Sequence, residues 1–151
     1  MNLKHNYRKS VFIVVYSKTK RSVEYLLLKR RLHWKGWEFP KGGIEHSEKE
    51  KNAVRRELFE EAGLRPLKEK IKKFDFSGKY HYQKNIFDRL RFVGQEFRLY
   101  SVEVKKSKVK IDKKEHVAYS WASYQKAMKM LRWSNQKKSL RIVNDWLINE
   151  I

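Results

Sequence analysis

Between Gly42 and Leu64 the chain reads GGIEHSEKEKNAVRRELFEEAGL, and no other stretch constrains the fold as much. A glycine pair leads into a helix-forming run that sets Glu57, Glu60 and Glu61 at i, i+3 and i+4, neighbours on one helical face. Like charges at that spacing resist ionisation and weaken a helix unless a cation sits among them. Val54, Leu58 and Ala62 recur at every fourth position and give the same helix a side to bury. Ser47 and Glu50 have the spacing of a capping box, so the helix is expected over 47–62, and Gly63 suits the left-handed position that ends it. The cation that crowded carboxylates call for is a hard one such as Mg²⁺, which takes oxygen ligands and shares them with substrate phosphates.

The rest of the chain supplies strands and two further helices. SVFIVVY (10–16) and VEYLLLKR (23–30) are apolar, β-branched runs separated by a short polar stretch, the pattern of a hairpin. An aromatic loop, HWKGWEFPKGG (33–43), holds a short strand at Trp37–Phe39. Strands are expected at Phe74–Tyr82, Phe92–Val104 and Val117–Trp121, with a loop at QKNIFDRLR. Ser123 caps a helix through Met130 and Ser134 another through Asn149, where Leu140, Val143 and Leu147 have core spacing. A mixed sheet between helices accounts for this order, within a single domain spanning 1–151.

Gly42, Glu48, Arg56-Glu57-Leu58, Glu60-Glu61 and Gly63-Leu64 together match the Nudix box, and the chain resembles the Nudix hydrolases. The resemblance implies an α/β/α sandwich with a mixed sheet, and Mg²⁺-dependent hydrolysis, with Mn²⁺ as an alternative ion. It assigns Glu57, Glu60 and Glu61 to the metal, with Gly42 beside them, and gives Arg56 and Glu48 the task of supporting the loop–helix geometry.

Outside the box, WEFPKGG resembles stretches of diadenosine tetraphosphate hydrolases and bacterial RNA pyrophosphohydrolases, and EHVAYSW a stretch of the former. The EHVAYSW likeness makes Glu115 a base or additional ligand and Tyr119 a nucleobase contact; His116 itself reads as a structural or edge histidine. Lys41 follows Pro40 and can set a point charge beside a phosphate. Tyr80 and Tyr82 share a strand phase, so either can line the cleft and stack on a base. FVGQEFRLYSVEV (92–104) resembles a strand of bacterial RNA pyrophosphohydrolases and of plant-type dinucleoside polyphosphate hydrolases, with its aromatic pair incomplete. The implied substrate is diadenosine tetraphosphate, split to ATP and AMP. The alternatives are the 5′-triphosphate of RNA, a diphosphoinositol polyphosphate, or RNA binding without turnover, and the intact box argues against the last.

Composition bounds these readings. A formal charge of +20 attracts polyanions. The same lysines are spread over many solvated faces, so charge supports an anionic substrate without choosing one. Cysteine is absent, which excludes disulfides and thiolate metal sites and fits a cytoplasmic protein. The N-terminal apolar run is short and ends in Tyr16, Ser17 and Lys18, a strand pattern with no membrane association implied.

Overall fold

A computed structural model describes residues 6–31, 35–81 and 92–149. Period-two alternation makes β1 (Tyr7–Lys18) the centre of the molecule. Val11, Ile13 and Val15 face one side and Phe12, Val14 and Tyr16 the other, all at most 3 % exposed. β1 turns through Thr19–Ser22 into β2 (Val23–Arg30), and the two pair antiparallel only near the turn, from Tyr16↔Tyr25 to Lys18↔Val23. Beyond that point they splay apart.

Two short strands fill the gap. β3 (Gly36–Glu38) pairs with β2, and β4 (Lys41–Gly43) pairs with β1 across Phe12↔Lys41 to Ser10↔Gly43. Between them the Pro40 carbonyl accepts from Ile13 N–H at 2.9 Å. The far edge of β1 runs parallel to β6 (Gly94–Glu103) over ten residues, and β5 (Ile71–His81) closes that end of the sheet against β6. β7 (His116–Ala122) lies on the outer edge of β2. The sheet is therefore mixed, as expected.

Helix α1 (Glu50–Ala62) packs Ala53, Val54, Leu58 and Ala62 onto the Val11/Ile13/Val15 face. Helices α2 (Tyr124–Met130) and α3 (Ser134–Asn149) cover the opposite face through Ala127, Leu140, Val143 and Leu147. The result is the α/β/α sandwich. No described helix is long and apolar enough to cross a membrane.

The expected capping box is overturned. α1 begins at Glu50 behind Lys49, which gives no side-chain cap, and Ser47 sits in a turn at φ 62°. Glu50 has stronger partners than a serine amide: Tyr100 Oη donates to it at 2.5 Å, Lys73 lies 3.0 Å away, and Arg98 pairs with its other oxygen. Two other caps follow expectation: Gly63 closes α1 at φ 68°, and Ser123 Oγ accepts from Lys126 N–H at 3.2 Å. Ser134, expected to cap α3, is instead its first helical residue. Tyr82 and the QKNIFDRLR loop lie outside the described residues.

Candidate active site

The gap between β1 and β2 gathers most of the residues singled out from sequence. Arg56 organises the approach to α1. Its Nε and Nη2 donate to the two oxygens of Glu48, each at 2.8 Å, and Nη2 also reaches the Gly43 carbonyl at 2.8 Å. A bidentate guanidinium–carboxylate pair fixes direction as well as distance, so the glycine turn is tied to the helix as expected. Glu48 in turn accepts from the Glu45 N–H at 3.0 Å and shapes the turn.

The box carboxylates divide into two groups. Glu57 and Glu60 share the Nη1 of Arg56, at 2.8 and 3.3 Å. Glu61 stands apart, 4 % exposed, held by the Lys41 N–H at 2.8 Å. Glu115, from the segment before β7, comes to it, and Glu61, Glu115 and His116 each offer a ligand atom within 4.8 Å of the others. Burial pushes Glu57 up to about 7, and the charges of Glu60 and Glu115 push the same way. Burial also holds Glu61 well above the carboxylate range, with Glu115 and Glu38 adding to it. A Cβ at Gly42 would fall 1.9 Å from Glu57 Cδ, so any larger residue here displaces that carboxyl.

Sequence reasoning missed the other half of this cluster. Glu38, wholly buried on β3, accepts from Arg30 Nη1 at 3.1 Å, faces His116 Nε2 at 2.8 Å and lies 3.5 Å from the Lys41 ammonium. Burial alone would raise Glu38; the charge of Lys41, the His116 hydrogen bond and Arg30 outweigh it and hold the carboxyl at about 2. His116 is 1 % exposed and turns its Nδ1, which has no hydrogen-bond partner, toward Glu61 Oε2 at 3.9 Å. The imidazole lies between two acids. Both Glu38 and His116 sat inside motifs read from sequence, but their meeting required β3 and β7 to flank β2.

Lys41 Nζ lies 3.5 Å from Tyr80 Oη and 5.4 Å from the centroid of its ring, so those two expected substrate residues do meet. Arg8 packs on Gly43 nearby, where a Cβ would come 2.3 Å from its Nε. Tyr119 is not part of that group. It lies on β7 opposite Leu28 and is 39 % exposed, while Tyr80 lies on β5 at the other end of the sheet.

The donor set suits a hard divalent ion. Glu61 and Glu115 supply carboxylate oxygens, and the unpartnered Nδ1 of His116 lies 3.9 Å from Glu61 Oε2. Gly42 keeps the backbone side of the carboxylates clear.

The sequence matches the NUDIX domain over residues 6–142. It is 33 % identical over 115 residues to an RNA pyrophosphohydrolase of Nitratiruptor sp., covering 74 % of each chain. Its fold resembles a Listeria monocytogenes protein assigned as a NUDIX hydrolase (TM-score 0.77, 22 % identity, 93 % of this chain and 94 % of that one). It also resembles the C. elegans Ap4A hydrolase (TM-score 0.74, 23 % identity, 94 % and 98 %). At these identities the structural likeness speaks for the fold. The chain belongs to the NUDIX family.

Proposed function

We propose that this NUDIX domain cleaves, with Mg²⁺ or Mn²⁺, a phosphoanhydride bond in a nucleoside 5′-polyphosphate that carries a further group. The observation behind this reading is the meeting of Glu61 of α1 with Glu115 from the segment before β7, close enough to Glu57 that the charge of Glu115 raises it. Glu57, Glu60, Glu61 and Glu115 would hold the metal. A bound divalent ion supplies an acidic water and neutralises charge on phosphate. The chain's own groups do the rest. Lys41 draws a phosphate toward the gap, Tyr80 borders it, and one of the carboxylates, Glu115 among them, takes the proton of the attacking water. Arg56 keeps Glu57 and Glu60 in place, and Glu38 fixes the Lys41 head group that would otherwise wander.

Two substrates belong to this class. The 5′-triphosphate of RNA comes first, supported by the relative at 33 % identity and by the formal charge of +20. Diadenosine tetraphosphate comes second. It is supported by the EHVAYSW resemblance and by Tyr80 and Tyr119, whose strands lie at opposite ends of the sheet and suit a molecule with two nucleobases.

A chromatographic product assay with both substrates in parallel tests the reading. Pyrophosphate or phosphate leaving RNA at the faster rate is expected. ATP plus AMP from the dinucleotide, with RNA untouched, would reverse the order. Binding of either without turnover would make the domain a binding module.

A further inference from the structure

The α3-facing side of β5 is built as a repeat. Its even-numbered residues are Lys72, Phe74, Phe76, Gly78 and Tyr80, and they share the sheet side with Phe97 and α3. α3 leaves the three rings partly open, and Lys72 stands exposed at the far end. A lysine lies over a ring at three places along this strip. Lys41 covers Tyr80 at 5.4 Å, Lys138 of α3 covers Phe76 at 5.1 Å, and Lys72 covers both Phe74 at 5.4 Å and Trp146 at 5.1 Å. The rings fall into two contact groups: Tyr80, Phe12, Phe97 and Phe76 meet in sequence, and Phe74 meets Trp146 edge-on at 5.6 Å. β5 carries a single carboxylate, Asp75, at an odd position.

The strip begins at the candidate site, where Lys41 and Tyr80 meet, and ends at Lys72 and Trp146. At about 3.3 Å per residue this is roughly 25 Å of strand. Partly open aromatic faces alternating with cations are the chemistry that holds single-stranded nucleic acid, where bases stack and phosphates pair. Lysines that only guarded an edge strand against pairing would come from that strand alone. Here Lys138 comes from α3 and Lys41 from β4, so three elements contribute to one line.

We propose that this face of β5, with Lys138 and Trp146 of α3, is a track for single-stranded RNA leading away from the catalytic gap. A lysine that leaves its ring for a phosphate uncovers a face on which a base can stack. The track would hold about four nucleotides, the short end of single-strand sites. It rests on RNA being the polyanion, and it deepens the substrate reading by giving the chain behind the 5′ end a place to lie.

The test separates the track from the chemistry by scoring binding on RNA that cannot react. Fluorescence anisotropy with a 5′-hydroxyl single-stranded oligonucleotide, in EDTA, compares the wild-type protein with K72E/K138E and the milder K72Q/K138Q. The charge-reversed protein is expected to bind at least about tenfold more weakly. Its log–log salt slope should be shallower by about 1.4, the share of two phosphate contacts. The glutamine pair should fall between, and a duplex of the same length should bind the wild type more weakly than the single strand. With 5′-triphosphorylated RNA, the ratio of kcat/KM for a ten-nucleotide chain to that for a dinucleotide should fall in the same order. Equal affinity of all three proteins for the single strand, with unchanged melting temperatures, overturns the track even if RNA is hydrolysed. Loss of binding in the variants, with no hydrolysis by the wild type, upholds the track and overturns the substrate.

Discussion

Glu38 and Glu61 lie on opposite sides of one imidazole, both nearly sealed from water, yet they are driven in opposite directions. Glu38 is held at about 2 by Lys41, His116 and Arg30. Glu61 is held well above the carboxylate range, because burial outweighs the hydrogen bond from the Lys41 backbone N–H while Glu115 and Glu38 crowd it. Burying a charge costs several kcal/mol unless partners replace the lost water. Glu38 has those partners within the chain, Glu57 shares Arg56 with Glu60, and Glu61 is where a cation from outside would relieve the most charge. Burial alone therefore marks neither an architectural acid nor a functional one; the difference lies in what surrounds it.

Exchanging each acid for glutamine strains this contrast most. Glu61→Gln should lower turnover by about 10³-fold or more. Its melting temperature without metal should hold or rise, since a crowded acid has gone. Glu38→Gln should do the reverse, costing about 3–5 kcal/mol in a denaturant titration by leaving Arg30, Lys41 and His116 without their charge. Its activity per folded molecule should fall less than that of Glu61→Gln. Should Glu61→Gln unfold the protein while Glu38→Gln leaves stability untouched, the assignment is backwards.

A smaller effect is expected from Gly42→Ala. The added Cβ falls on the Glu57 carboxyl, so that side chain must move. Calorimetric titration with Mn²⁺ should show about tenfold weaker binding, and unchanged affinity would place the ion away from Glu57.

The smallest effect is a pH profile with two limbs. Glu38 has a folded value of about 2 against 4.5 unfolded, so its stabilisation is full above pH 4.5 and lost as pH falls toward 2. Glu57 has a folded value of about 7 against 4.5, so the metal-free protein loses stability as pH rises from 4.5 through 7. Each limb should be worth about 1–2 kcal/mol in melting experiments, allowing for coupling among the carboxylates. Divalent ions should abolish the upper limb and leave the lower one intact.

Local patterns were readable because local physics governs them. The apolar, β-branched run of β1, the four-residue stripe of α1, Gly63 and the Ser123 cap all depend on neighbours within a turn or a pleat. Long-range partners decided the rest. Glu50 abandons the expected box with Ser47 for Tyr100 and Arg98, about fifty residues along the chain, and no local spacing announces that choice. β4 went unseen because three residues, Lys41–Gly43, carry no strand pattern and pair only because β1 and β2 splay. Of the candidate site, the box and Lys41 with Tyr80 were legible. Glu38 was hidden because a lone acid in an aromatic loop gains its meaning from Arg30 and His116, which the sheet brings to it.

The parallel pairing of β1 with β6 also sets an order of assembly. Tyr7 pairs with Gly94 and Tyr16 with Glu103, so the central strand keeps one edge unmatched until two-thirds of the chain exists. On the ribosome, α1 could form as soon as Leu64 is made and lean on Val11, Ile13, Leu26 and Leu28. Tyr100, Val102 and Val104, which complete its seat, come much later. Contacts so distant slow folding and leave apolar strand edges open to other chains in the interval. The acidic box is finished early in synthesis, but it becomes a site only when Glu115 emerges and β7 docks on β2.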